Sequence, residues 1–121
     1  MRYLSLLIIL VFFSCRSEEE IVVIPDDVLN VQEMISMTIE INLIKAAHDT
    51  RLIIGPKKEN RINSYFKSVF KEKGITQEVY SNSYDWYTEH PDFFTELYNG
   101  VVEELSKRHV EAMREVSPNI D

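Results

Sequence analysis

From residue 27 onward the apolar positions recur at three- and four-residue intervals, the period of an amphipathic helix, and four such segments follow one another. The first runs from about residue 27 to 48. Asp26 and Asp27 supply its N-cap chemistry, and Val31, Ile35, Thr38, Asn42 and Ala46 share one face. Met34, Met37, Ile41 and Ile44 widen that face until the helix is apolar over much of its circumference. A helix of that kind has to be packed on more than one side, by its own domain or by a partner. A connection over residues 49–58 follows, broken at Gly55-Pro56, and its Leu52, Ile53 and Ile54 are expected to fold back on the core.

The second segment covers about residues 59–73. Ile62, Tyr65, Phe66, Val69 and Phe70 form its stripe, Lys67, Lys71 and Lys73 suit its C-terminal dipole, and Gly74 is its stop. Thr76 opens the third, which turns Val79, Tyr80, Ser83, Tyr84 and Tyr87 inward and ends at His90, because a residue before proline disfavours the α conformation. Pro91 then suits the first turn of the fourth, whose Phe94, Leu97, Tyr98, Val101, Val102, Leu105 and His109 keep helical spacing to near Glu115. Ile21 to Ile24 is a short β-branched run ended by Pro25. With no comparable second strand to pair with, it reads as an extended arm lying on helices. The pattern therefore predicts an all-α fold, a small bundle of about four helices over residues 25–116, with a tail at 117–121. Aromatic residues crowd residues 73–105, so the core is expected to centre there.

The start of the chain has a different character. Arg2, an unbroken apolar run over residues 6–13 and then Ser14 before Cys15 match a signal peptide over residues 1–14. The run is too short to span a bilayer, which takes roughly 20 residues. Cys15 is the only cysteine, so no intramolecular disulfide can form. Its position resembles the lipobox of bacterial lipoproteins, although Phe12 stands where that motif usually has leucine; the other reading is a secreted protein with a free thiol. An acylated Cys15 would hold the protein on a membrane, since each buried acyl CH₂ contributes about 0.8 kcal/mol. Residues 15–24 then form a lipidated tether and arm. The acidic run Glu18 to Glu20 within it is either a plain flexible linker or, by resemblance, the surface-export signal of Bacteroidetes lipoproteins.

Charge and motifs narrow the function. A formal net charge of −7 gives no electrostatic footprint for nucleic acid. His48, His90 and His109 are scattered, with no spacing that predicts a metal site or a bound cofactor. His90 is expected to cap the helix that follows it. Ser81 and Ser83 lack the strand-turn-helix setting of a nucleophile elbow, and three glycines make no phosphate loop, so no catalytic residue is assigned and no enzyme is expected. The aromatic cluster remains. Tyr84 and Tyr87 share a helical face while Trp86 points elsewhere, so Trp86 and Phe93 are expected to be exposed, and Tyr84, Trp86, Tyr87, His90 and Phe93 form the candidate binding set. The plainer account is that bulky rings fill a small core.

Gly74-Ile75-Thr76, Ser83, Tyr87, His90-Pro91 and Tyr98 together resemble a family of small Bacteroidetes lipoproteins defined by a domain of unknown function, DUF4296; the resemblance covers about residues 25–105. It implies a helical envelope lipoprotein and carries no activity or catalytic residue. The sequence thus leads to an outer-membrane protein anchored through lipid on Cys15, on the periplasmic or the cell-surface face, serving as a non-enzymatic accessory subunit with a protein partner in the envelope. The alternative is a chaperone-like lipoprotein that binds a small ligand or a polypeptide in a groove formed by Tyr84, Trp86 and Tyr87.

Overall fold

The computed structural model describes residues 21–51 and 53–117. The signal peptide, Cys15, the acidic run, Leu52 and the tail beyond Ser117 lie outside the described residues. Four helices follow in order: α1 over Val31–Asp49, α2 over Lys58–Lys73, α3 over Gln77–Glu89 and α4 over Pro91–Val116. There is no strand among the described residues, and the fold is all-α.

The helix ends follow local chemistry. Asn30, rather than Asp26 or Asp27, caps α1: its side chain accepts from Glu33 N–H at 3.0 Å while Glu33 Oε2 accepts from Asn30 N–H at 3.0 Å, a reciprocal capping box. The two aspartates sit instead in a turn closed by Val28 N–H donating to the Pro25 carbonyl at 3.1 Å. Gly74 ends α2 in the left-handed conformation, φ +65°, and Ile75 N–H donates to the Phe70 carbonyl at 3.1 Å. The Thr76 hydroxyl accepts from Val79 N–H at 3.2 Å and opens α3. His90 is extended, φ −121° and ψ 87°, as a residue before proline should be, and Pro91 starts α4.

α1 is the centre of the bundle, packed on α4, α2 and α3. Met34, Ile35, Met37, Thr38, Ile39 and Ile41 are all buried and the intervening Ser36 and Glu40 partly so, which on one helix means burial around most of its circumference. The core is therefore centred on α1, and the aromatic stretch over residues 73–105 contributes Tyr87, Leu97 and Val101 to it from outside. The α1–α4 crossing is close: a Cβ at Gly100 would run into the Ile35 side chain. In the connection between α1 and α2, Ile53 is buried and Ile54 exposed. The arm at Ile21 to Ile24 pairs with nothing as a strand; Ile24 and Val28 pack on the core while Ile21 and Val23 face solvent.

Candidate functional site

Tyr87 and Ser83, one turn apart on α3, grip the segment that leads into α1. The Ser83 hydroxyl accepts from Leu29 N–H at 2.9 Å and donates to the Val79 carbonyl at 2.7 Å, and Tyr87 O–H donates to the Leu29 carbonyl at 3.1 Å. Both polar groups of Leu29 are thus satisfied inside the core, where leaving one unpaired costs about 1–3 kcal/mol. Ser83 and Tyr87 have no exposed surface, so Tyr87 is a structural residue and belongs to no binding surface. Burial, with the Glu96 and Glu33 carboxylates adding to it, pushes the Tyr87 phenol up to about 12.

Trp86, His90 and Phe93 form a separate stack at the α3–α4 corner. The Trp86 and His90 rings lie 4.0 Å apart and nearly parallel, and Phe93 packs 5.1 Å from Trp86. His90 Nδ1 lies 2.7 Å from the Trp86 carbonyl. A carbonyl only accepts, so Nδ1 carries the proton, and the side chain closes the end of α3 instead of capping α4. Trp86 and Phe93 are half-buried rather than free, because each covers the other. The shallow hollow beside them is walled by Glu89, Asp92 and Glu96.

Tyr84 belongs to a third place, a groove of about 680 Å³ between α1, α2 and α3. α1 contributes Thr38, Ile41, Asn42 and Lys45 to its wall, and α2 contributes Asn63, Phe66, Lys67 and Phe70. From α3 come Gln77, Tyr80, Ser81 and Tyr84, and Tyr98 closes it from α4. The rings run in a chain: Phe70 to Tyr80 at 6.1 Å edge-on, Tyr80 to Tyr84 at 6.2 Å, and Tyr84 edge-on to Phe94 at 6.2 Å. Tyr84 and Tyr98 share a hydrogen bond between hydroxyls, 3.2 Å apart. That bond, followed by burial, pushes Tyr84 up to about 12, and burial raises Tyr80. The Thr38 hydroxyl at the inner wall is buried with no hydrogen-bond partner. It lies near enough to the Tyr80 phenol to favour its ionised form, yet the pair does not meet hydrogen-bond geometry.

The five residues singled out from the sequence therefore divide three ways: Tyr84 in the groove, Tyr87 in the core, and Trp86, His90 and Phe93 at the corner. They form no common groove. Sequence reasoning missed the groove because its walls come from four helices. The one signal available was that Thr38 and Asn42 interrupt the otherwise apolar face of α1. No group of three or more His, Cys, Asp or Glu side chains is placed to hold a metal ion among the described residues. No described helix is long and apolar enough to cross a membrane. No curated protein and no solved structure gives a significant match to the chain. One family model does match, over residues 25–111, which takes in all of α1 to α3, the Leu29 grip and most of α4. The chain belongs to the family described as Domain of unknown function (DUF4296).

Proposed function

We propose that the protein is a Bacteroidetes-type lipoprotein, held on the outer membrane by acyl chains on Cys15, and that it serves as a non-catalytic accessory subunit of a protein assembly there. The anchor rests on the apolar run, Ser14 and Cys15 of the sequence.

The observation that carries the partner-binding role is the far half of α4. This 26-residue helix is the longest of the four, and from Ser106 to Val116 every residue is exposed. Val102, Met113 and Val116 are 62%, 57% and 83% exposed, and a 3.6-residue repeat sets them within roughly 60° of one another on the helix. His109 falls between them, Ser106 and Val110 border the stripe on one side and Leu105 and Ala112 on the other, and Lys107 and Arg108 lie off it, paired with Glu103 and Glu104. An apolar stripe with uncharged borders is what an amphipathic partner helix packs against.

The test is affinity purification of the tagged full-length protein from native membranes in mild detergent, in parallel with Met113→Glu/Val116→Glu. The expected outcome is a stoichiometric set of envelope proteins with the wild type that is lost from the variant. Recovery of the protein alone, or of the same set with the variant, overturns the proposal.

A further inference from the structure

We propose that the groove between α1, α2 and α3 binds a small acidic saccharide, a hydroxylated ring carrying a carboxylate, sulfate or phosphate group. This goes beyond the α4 reading and stands or falls separately from it.

Charge is the first argument. The chain has 20 acidic residues against 13 basic ones, yet no acidic residue lines the groove, and Lys45 and Lys67 face it from α1 and α2. Neither lysine pairs with a carboxylate among the described residues. An acidic protein that clears carboxylates from one hollow and leaves two unpaired ammonium groups there has made a local anion site.

The second argument is the kind of wall. Neutral hydrogen-bonding side chains, amides and hydroxyls, outnumber the purely apolar Ile41, Phe66 and Phe70. A fatty acid would leave those polar groups unmatched, at a cost in affinity. An inorganic anion would have no use for the row of rings. A sugar uses both, placing its C–H faces on aromatic rings and its hydroxyls on amides and phenols, with the acid group on a lysine. Asn42, Asn63 and Gln77 each offer a donor pair and an acceptor, and the unpartnered Thr38 hydroxyl marks the inner end of this polar surface. About 680 Å³ is within the range of small-molecule sites, roughly 300–1,000 Å³.

The test uses ¹⁵N-labelled full-length protein in mild detergent, titrated with trigalacturonate, a neutral trisaccharide, glucose 6-phosphate, a sulfated monosaccharide and decanoate. At least one acidic saccharide is expected to shift the amides of Asn42, Asn63 and Tyr80 while the neutral sugar binds at least about tenfold more weakly, as loss of a charge-assisted hydrogen bond implies. Lys45→Gln/Lys67→Gln changes two exposed side chains, so it should fold as the wild type does and lose about tenfold in affinity for the acidic saccharide. Binding should also weaken with salt. Equal binding of the neutral sugar, binding of decanoate alone, unchanged affinity in the double variant, or no groove shift with any acidic saccharide overturns the proposal.

Discussion

Ser83, Tyr87 and Leu29 set the strongest residue-scale constraint. Leu29 N–H and C=O are both buried and are served by two side chains from one face of α3, so each loss strands a buried backbone group. Ser83→Ala and Tyr87→Phe should each lower unfolding stability by about 1–3 kcal/mol in urea denaturation. Because both act on the same residue, the double variant should lose less than the sum. The phenols give a second readout. Tyr84 and Tyr87 titrate near 12 in the folded protein, above the ordinary value of 10.0, so folding favours their neutral forms. Their contribution is therefore complete below pH 10 and is lost as the pH rises toward 12. Phenolate absorbance should show these tyrosines ionising late and together with loss of helical circular dichroism. Tyr87→Phe should shift that alkaline unfolding to higher pH relative to its own neutral stability. Ionisation of all tyrosines near pH 10 with the fold intact would contradict this placement.

The helices themselves were legible in the sequence because their punctuation is local. Gly74, Thr76 and Pro91 do what a stop, an N-cap and a first-turn proline do anywhere, and each boundary they set agrees with the structure. The start of α1 was misplaced because two aspartates after Pro25 resemble a cap, whereas the Asn30–Glu33 pair satisfies two orphan N–H groups reciprocally and prevails. How closely helices approach was not legible, since a glycine inside a helix looks like a weakness until its neighbour is known. At Gly100 an added Cβ would overlap Ile35 Cδ1 and lie 3.0 Å from Cγ1. Alanine gains about 1 kcal/mol in helix propensity over glycine, but forcing Ile35 aside costs about 1–3 kcal/mol. Gly100→Ala is thus expected to destabilise the wild type by about 1 kcal/mol. In an Ile35→Ala background, where the obstructing atoms are gone, it should stabilise by a similar amount. A stabilising Gly100→Ala in both backgrounds would mean that α1 and α4 cross less closely than described.

At the scale of the whole molecule, burial is divided unevenly. The sequence pointed to this through the all-round apolarity of the first helix, while the density of aromatics drew attention to residues 73–105 instead. Rings cluster where helix α3 meets its neighbours, but only a helix enclosed by the other three is buried around its circumference, and that depends on topology that periodicity alone does not contain. The same topology leaves α4 half supported. Arg108 Nη1 meets Glu40 Oε1 at 3.0 Å, and from His109 to Val116 no hydrogen bond or ion pair joins α4 to another helix among the described residues. Exposed pairs of this kind contribute about 0–1 kcal/mol, so the last turns hold their helical form with little tertiary help. Hydrogen exchange should therefore separate two classes of amide. Those of Met37 to Ile41 should open only with global unfolding, and those from His109 to Val116 by local fraying, at least about a thousandfold faster after correction for intrinsic rates. Saturation with the proposed α4 partner should slow only the second class, because folding onto a partner helix supplies the missing packing. A saccharide bound in the groove should slow neither α4 end nor arm, so the two proposed sites leave different exchange footprints. Slow exchange of His109 to Val116 in the isolated protein at every concentration would show that this half of α4 is already covered, and would remove the physical reason for a partner there.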